Sequence, residues 1–345
     1  MLAEEQNLSE IFTQRFGQPV RNSGELWVMY RCPECQHRSL ACNVQHGHVL
    51  CHFCGWRERA QGQSVQYTKR EYNLQAQHAI IVWCIKNCGL TPAYKQFLDD
   101  RNIRNPRKWG LVTCEWNLVS RLVREGGFSQ DQLVESGLFR FGDQGQGTVK
   151  PSACMKPGRL IVPYISGGQL VGFKSRVSLA EELDAQSIKY LSAPGISISQ
   201  YLWHVTNQGQ DLYLTEGELK AITGLELGVS CVSISGLQAW RRTLPSIKQI
   251  AKRYVRVFIV LDSDPGYQRS IPHLTAATKL YSELPNSCIL FLPQVSSDTK
   301  QALDSYLLNF STSDFLGLSN RAWSVRDKLF DHWRGCLAQV DRPTV

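Results

Sequence analysis

Two closely spaced cysteine pairs near the N-terminus constrain the fold of this chain more than any other feature. Cys32 and Cys35 form the first pair, and Cys51 and Cys54 form the second after an interval of fifteen residues. Two such pairs make two tight turns whose thiolates can converge on one tetrahedral Zn²⁺, with the interval folded as a hairpin. The spacing therefore predicts a small β module held by structural zinc, and it disfavours the alternative of unligated buried cysteines. A module of this size has too little core to fold without metal.

Aromatic and basic side chains are interleaved around these cysteines. Such a composition suits stacking on the bases of a single strand while cations neutralise its phosphates. Trp27 and Phe53 are assigned to the small core of the module itself. Trp56 and Arg57, which follow the second cysteine pair directly, are predicted to contact nucleic acid.

Length and composition indicate a globular protein with a polyanionic partner. The 345 residues predict two to three domains at roughly 150 residues each. The hydrophobic fraction of 43% excludes a wholly disordered chain. The 38 basic residues exceed the 30 acidic ones and give a net charge of +8, which favours a nucleic acid or nucleotide as partner.

The sequence carries no sign of export or of membrane insertion. Its first residues, MLAEEQNLSE, are acidic and polar, and no apolar run reaches the roughly 18 residues that a spanning helix needs. We therefore expect a cytoplasmic protein without a membrane partner. Its twelve cysteines are then expected to be reduced.

Composition shifts divide the rest of the chain. Residues 57–73 (RERAQGQSVQYTKREYN) are polar and Gln-rich, which predicts a linker. Residues 74–137 have the apolar spacing of helices, and residues 159–177 alternate around Ser166-Gly167-Gly168 as a hairpin does. An amphipathic pattern in residues 311–345 predicts a terminal helix.

Four apolar runs in the second half of the chain define the fold class. They cover residues 212–214, 231–234, 255–261 and 288–292, and the segments between them are long enough for helices. This spacing predicts βαβ units, and hence an α/β protein with a parallel sheet.

Acidic residues follow two of these predicted strands. Glu216 and Glu218 come after the first run, and Asp262 and Asp264 come after the third. The carboxyl ends of parallel strands meet at one edge of a sheet, so these side chains are expected to lie close together. Clustered carboxylates repel one another unless a cation lies between them. Oxygen ligands of this kind suit Mg²⁺, with Mn²⁺ as the alternative, and the cation would bind nucleotide phosphates.

Several motifs, in their order along the chain, resemble those of the DnaG-type DNA primases of bacteria and phages. Besides the cysteine pairs and the two acidic motifs, five stretches carry this resemblance: Phe97–Ile103, Gly158–Pro163, Gly172–Arg176, Lys189–Pro194 and Leu292–Asp304. The resemblance spans about residues 25–310. It implies a zinc ribbon followed by a primase core with a Rossmann-like Toprim sheet.

The resemblance also implies domain boundaries. The expected parts are a zinc-ribbon template-binding domain (1–56), the linker (57–73), a basic subdomain (74–205), a Toprim domain (206–310) and a C-terminal helical tail (311–345).

What such a fold does follows from the same resemblance. It implies synthesis of short primers on single-stranded DNA from nucleoside triphosphates, as part of a primosome. Glu216, Asp262 and Asp264, joined by Asp304, are then expected to hold the catalytic Mg²⁺. Template phosphates or the incoming triphosphate are expected to contact four cations, namely Arg159, Lys174, Arg176 and Lys189.

The chain departs from the family at two positions. Lys220 stands where an acid is usual, and Ala302 stands where the first of two aspartates is usual. Three interpretations stay open: Glu218 replaces the missing carboxylate, Lys220 contacts phosphate, or the site is degenerate. In the last case the protein is a non-catalytic single-strand-binding replication factor. A Toprim nuclease is a further alternative, which the zinc module and the basic motifs disfavour.

A helicase motif is missing from the sequence. No GxxxxGK[ST] occurs in it, so a replicative helicase is expected to be a separate partner.

Overall fold

The computed structural model of the chain divides into two compact units, Met1–Glu71 and Tyr72–Val345. It describes residues 8–22, 27–33, 40–45, 47–51, 57–59, 71–142, 148–180, 182, 189–196, 198, 201–203, 209–262, 267–293, 301–326 and 331. Among these residues, no helix is long and apolar enough to cross a membrane.

In its described residues, the first unit is a small antiparallel sheet with one helix. It contains α1 (Leu8–Phe16) and the strands β1 (Arg21–Asn22), β2 (Trp27–Tyr30), β3 (Leu40–Asn43), β4 (His48–Cys51) and β5 (Arg57–Arg59), paired in sequence order. Phe12 of the helix packs with Tyr30, Cys32, Leu40 and Val49 in the core of this unit. The sheet includes residues 57–59, so the first three residues of the predicted linker form a strand.

The second unit begins with helices and a mixed set of strands. The helices are α2 (Leu74–Asn87), α3 (Pro92–Asp99), α4 (Leu118–Arg124) and α5 (Gln130–Glu135). The strands are β6 (Val112–Thr113), β7 (Phe139–Phe141), β8 (Val149–Pro151), β9 (Leu160–Ser166), β10 (Gln169–Arg176) and β11 (Tyr190–Ser192). Helix α2 starts at the predicted boundary, where the side chain of Asn73 accepts a hydrogen bond from the Ala76 amide.

Four of these strands form one antiparallel sheet in the order β11-β10-β9-β6. The predicted hairpin is confirmed: β9 and β10 pair from Gln169 opposite Ser166 to Arg176 opposite Leu160. Gly167 and Gly168 form its turn with φ values of 58° and 79°, which glycine adopts without steric cost.

The second half of this unit is a parallel sheet covered by helices. Its elements are β12 (Asp211–Thr215), α6 (Glu218–Glu226), β13 (Cys231–Ser233), α7 (Trp240–Ala251), β14 (Arg256–Val260), α8 (Tyr267–Glu283), β15 (Ser287–Ile289), α9 (Leu303–Asn309) and α10 (Thr312–Ser324). The strand order is β13-β12-β14-β15, and every pair is parallel. The predicted α/β fold is therefore confirmed.

Both faces of the parallel sheet are buried, as continuous apolar strands require. Along β12, Leu212 and Leu214 pack in one hydrophobic cluster, whereas Tyr213 packs in the cluster on the opposite face. Phe315 and Ala322 of α10 join the Tyr213 cluster, so the predicted terminal helix is part of the body.

Candidate functional site

The site lies at the edge of the parallel sheet where β12 and β14 end. In this sheet β13 lies on the outer side of β12, whereas β15 lies on the outer side of β14, in the opposite direction. The strand order therefore changes direction between β12 and β14, and in open α/β sheets this switch point is where ligands bind. Glu216 follows β12 directly, and Asp262 follows β14 after one residue, so the two predicted acids share this edge.

The backbone of Glu216 is fixed by the loop that follows β13. Its carbonyl oxygen accepts hydrogen bonds from the Gly236 amide at 2.8 Å and from Ser233 Oγ at 3.1 Å. Gly236 has φ 105° and Ser235 has φ 63°, a conformation that is uncommon for a residue with a side chain. These two hydrogen bonds therefore fix the loop that follows β13 against the backbone of Glu216.

His273 of helix α8 completes a cluster that the sequence did not reveal. Its Nε2 lies 3.2 Å from Glu216 Oε2. Glu216, Asp262 and His273 each offer one ligand atom, and these three atoms lie within 4.8 Å of one another. Two carboxylates and an imidazole at this spacing are a donor set that fits a divalent cation. Asp264 lies outside the described residues.

Lys220 contacts the second acid of this cluster. It lies in the first turn of α6, and its Nζ forms an ion pair with Asp262 Oδ2. The carboxylate of Asp262 is 1% exposed and the Lys220 side chain is 20% exposed. The position at which an acid was expected therefore brings an ammonium group to the carboxylates.

Glu218 is buried and is bonded to other groups of the protein. Its Oε1 accepts a hydrogen bond from Lys174 Nζ at 2.7 Å and another from the Tyr164 hydroxyl. Burial alone would raise the pKa of the Glu218 carboxyl, but Lys174 and Tyr164 outweigh it and hold the pKa below its ordinary value of 4.5. Glu218 is thus an ionised group bound by Lys174 and Tyr164, an arrangement that disfavours, of the three interpretations, the one in which Glu218 replaces the missing carboxylate.

Lys174 also binds the loop under Glu216. Its Nζ donates to the Ser235 carbonyl oxygen at 2.6 Å. Burial and the Glu218 carboxylate raise the pKa of Tyr164 well above its ordinary value of 10.0, so its phenol remains a proton donor. We call the group Tyr164, Lys174, Glu218 and Ser235 the seam, because it joins β9 and β10 to the parallel sheet.

Two further predicted cations, Arg176 and Lys189, lie near the site and share the partner Glu182. Arg176 is buried, and its guanidinium donates to the Tyr94 hydroxyl at 3.1 Å and to Glu182. Lys189 pairs with the same Glu182 at 2.8 Å, but its side chain is 56% exposed. Lys189 is therefore the more accessible of these two cations.

Glu216, Asp262 and Lys220 line one cavity of about 280 Å³, together with Lys174 and Glu218 of the seam and the cations Arg176 and Lys189. Asp304 lines it too, and its Oδ2 lies 3.6 Å from Nε of Arg101, whose guanidinium stacks on the Phe97 ring. The motif around Phe97 therefore reaches the site, although neither Phe97 nor Arg101 was predicted as a site residue. Arg159 is buried, and it is not among the described residues that line this cavity.

The predicted zinc ligands are only partly covered by the structure. Cys32 is buried in the core of the first unit, and Cys51 ends β4 opposite Leu40. Cys35, Cys54 and Trp56 lie outside the described residues, as do the side chains of Cys51 and Arg57. The zinc site and the aromatic contact therefore stay predictions.

No protein-family model matches the sequence of this chain. A stretch of 157 residues, 43% of this chain, is 28% identical to the Gene 57 protein of Mycobacterium phage D29 and covers 97% of that protein.

Two solved primase structures share the fold. The zinc-binding and RNA polymerase domains of Aquifex aeolicus primase match 92% of this chain and 83% of that one, with a TM-score of 0.56 and 14% identity. The RNA polymerase domain of Mycobacterium tuberculosis primase DnaG, solved with double-stranded DNA, matches 72% of this chain and 80% of that one, with a TM-score of 0.55 and 19% identity. The resemblance to DnaG-type primases is thus confirmed at the level of the fold.

Proposed function

We propose that the chain is a DNA primase, which synthesises short primers on single-stranded DNA by metal-dependent nucleotidyl transfer. One observation carries this proposal: Glu216 and Asp262 lie at the switch point of the parallel sheet, in the same cavity as a set of cations. A site of this kind binds a polyanion and a metal together, which phosphoryl transfer requires.

In the proposed reaction, the 3′-oxygen of one nucleotide attacks the α-phosphorus of the next, and pyrophosphate leaves. Glu216, Asp262 and His273 are placed to hold the divalent cation, with Asp264 and Asp304 as further candidates. The cation, Mg²⁺ or Mn²⁺, would neutralise charge on the phosphates when bound.

The protein's own cations would position the two reactants. The exposed Lys189 and the partly exposed Arg101 line the cavity and are suited to contact phosphates directly. Lys174 and Arg176 are buried, and their charged groups are bound to Glu218 and Glu182. They would therefore act by holding the lining of the cavity in place.

The first unit is proposed to bind the template and to select where synthesis starts. Zn²⁺ held by Cys32, Cys35, Cys51 and Cys54 would stabilise it, and a separate helicase would deliver the single strand. Metal analysis is expected to find one zinc per chain in the purified protein and a loss of zinc in the double variant Cys51→Ser/Cys54→Ser.

A non-catalytic single-strand-binding protein is the second candidate function. The Lys220–Asp262 ion pair favours it, because an ammonium group contacts a carboxylate that a metal would need. A Toprim nuclease is the third candidate, without a specific observation in its favour.

One assay separates these functions. The protein is incubated with single-stranded DNA, labelled nucleoside triphosphates and either Mg²⁺ or Mn²⁺, beside the variant Asp262→Asn and the control Asp131→Asn, an exposed acid of α5. A primase gives new oligomers that only Asp262→Asn abolishes. Binding without product indicates the second function, and a shortened template indicates the third.

A further inference from the structure

The acidic edge of the sheet combines three features in an unusual way: two carboxylates, an imidazole and an ammonium group. We propose that this site holds a single divalent cation, with His273 as a ligand beside Glu216 and Asp262, and that the Lys220 ammonium supplies the second positive charge. The inference deepens the proposed function, on which its role in nucleotidyl transfer rests.

The first step is the placement of His273. Helix α8 brings its Nε2 to 3.2 Å from Glu216 Oε2, and the ligand atoms of His273, Glu216 and Asp262 all lie within 4.8 Å of one another. These residues come from three different elements, α8 and the ends of β12 and β14. A cation between them would therefore be bound by groups on a rigid frame.

The second step is ligand chemistry. Mg²⁺ strongly prefers oxygen ligands and a regular octahedron, whereas an imidazole nitrogen suits Fe, Ni, Cu and Zn, and Mn²⁺ is the weakest-binding member of that transition-metal series. A site with His273 as one of three protein ligands is thus expected to bind Mn²⁺ more tightly than Mg²⁺. His273 would act as a residue that determines metal specificity.

The third step concerns the number of cations. The carboxylates of Glu216 and Asp262 carry a formal charge of −2, and Lys220 in contact with Asp262 Oδ2 reduces this to −1, while the Asp304 carboxylate of the same cavity is balanced by Arg101. One divalent cation brings the total of these groups to +1. A second would have to displace the ammonium from Asp262 or lie beside it, where like charges repel.

The fourth step is that Lys220 is a fixed charge. It projects from the first turn of α6, and the same turn is fastened to β10 through Glu218 and Lys174. An ammonium held in this way is present before substrate binds, whereas a second metal ion must be recruited from solution.

The test counts bound metal in the full-length chain without any assay of synthesis. Mn²⁺ is titrated into the protein, and free Mn²⁺ is measured by electron paramagnetic resonance. Wild type is expected to bind one Mn²⁺ at this edge, and Glu216→Gln/Asp262→Asn is expected to bind none. Lys220→Asp, which replaces the ammonium with a carboxylate, is expected to bind two, whereas Lys220→Met and the exposed-lysine control Lys95→Asp are expected to bind one.

His273 is tested in the same titration. Removing even a hydrogen-bond partner of a metal ligand typically weakens binding about 10- to 100-fold, so His273→Phe is expected to weaken Mn²⁺ binding at least about tenfold. The affinity of this variant for Mg²⁺, measured by competition with Mn²⁺, is expected to fall by a smaller factor. A thermal unfolding curve for each variant establishes that the protein is folded.

Two results would overturn the inference: two Mn²⁺ at this edge in wild type, or unchanged Mn²⁺ affinity in folded His273→Phe. Its failure can be distinguished from that of the proposed function. If one Mn²⁺ binds through His273 but no primer is made, the inference stands and the primase proposal fails. If primers are made with two bound ions, the inference fails and the primase proposal stands.

Discussion

The two lysine–carboxylate pairs around the start of helix α6 use the same chemistry for different purposes. Lys174–Glu218 belongs to the seam, where the two side chains are 11% and 3% exposed, and Tyr164 and Ser235 bind the same pair. Lys220–Asp262 faces the cavity, beside Glu216 and His273. Glu218 and Lys220 are two residues apart on the helix, so they point in different directions.

This difference separates groups that hold the fold from groups that are available to a ligand. In the seam, each charge is surrounded by partners within the protein, so the pair stabilises one arrangement of the two sheets. At the cavity, the Lys220–Asp262 pair lies beside Glu216 and lines a space that an incoming cation or anion can enter. The predictions below test this separation, from the largest expected effect to the smallest.

The largest effect is expected on stability, in the seam. Lys174→Met leaves the buried Glu218 carboxylate without its cation, and removing one partner of a buried pair typically costs about 3–5 kcal/mol. Lys220→Met also leaves a buried carboxylate without its cation, since Asp262 is 1% exposed, but Lys220 is 20% exposed and better solvated than Lys174, so a smaller loss of stability is expected. Urea denaturation of the two variants measures the contrast.

The double variant Lys174→Met/Glu218→Gln is the control for the seam, because it removes both charges. It is expected to recover part of the stability that Lys174→Met loses. Equal stability of Lys174→Met and Lys220→Met would mean that the two pairs do not differ in this way.

The second effect is expected on synthesis, at the cavity. Asp262→Asn removes one ligand of the proposed cation, so primer yield is expected to fall at least about 100-fold. Affinity for the template is expected to stay equal or to rise, because a negative charge near the phosphates is lost. Primer yield and template affinity are measured on the same preparation, and normal yield would remove Asp262 from the proposed reaction.

The third effect concerns the salt dependence of template binding. Each cation that contacts a phosphate of a single strand contributes about 0.7 to the slope of log affinity against log salt. The exposed Lys189 is expected to make such a contact, so Lys189→Ala lowers the slope by about this amount. Lys95→Ala, which removes an exposed lysine that is not among the described residues lining the cavity, is expected to leave the slope unchanged. Fluorescence anisotropy over a salt series provides the slopes, and equal slopes for Lys189→Ala and wild type would contradict the assignment.

The smallest effect is expected from the acid that joins Arg176 to Lys189. Burial alone would raise the pKa of Glu182, but Lys189 and Arg176 hold it below the ordinary value of 4.5. A depressed pKa in the folded state means that Glu182 contributes stability above that ordinary value and loses the contribution as pH falls through the folded-state pKa. Glu182→Gln is therefore expected to flatten the fall of stability below about pH 5, by less than about 1 kcal/mol. Thermal unfolding between pH 3 and pH 7, roughly the range that linkage covers, measures it. An unchanged profile would exclude this contribution.

The sequence was sufficient for those parts of the site that depend on local patterns. Apolar strand runs followed by acids, together with the rule that parallel strands end at one edge, predicted that Glu216 and Asp262 would meet. The departure at Lys220 was also visible, but its partner was not, because the Lys220–Asp262 contact depends on where the first turn of α6 lies relative to the residues that follow β14.

The remaining features depend on contacts between distant segments. The partners of Glu218 could not be predicted, because Tyr164 and Lys174, which bind it, lie 54 and 44 residues earlier in another sheet. His273 had no motif to mark it, since its direction is set by the rotation of α8 on the sheet. The strand at residues 57–59 was assigned to a linker because its composition is polar, whereas its structure comes from pairing with β4.

The peptide group between Ser235 and Gly236 connects the seam with the site. Its carbonyl oxygen accepts from Lys174 Nζ, and its N–H donates to the carbonyl oxygen of Glu216. Because a peptide group is planar and rigid, it cannot rotate to leave one of these partners without disturbing the other. The amide hydrogen of Gly236 thus becomes a reporter: its rate of exchange with solvent deuterium measures how often the frame beneath the first carboxylate opens, residue by residue and without any substrate.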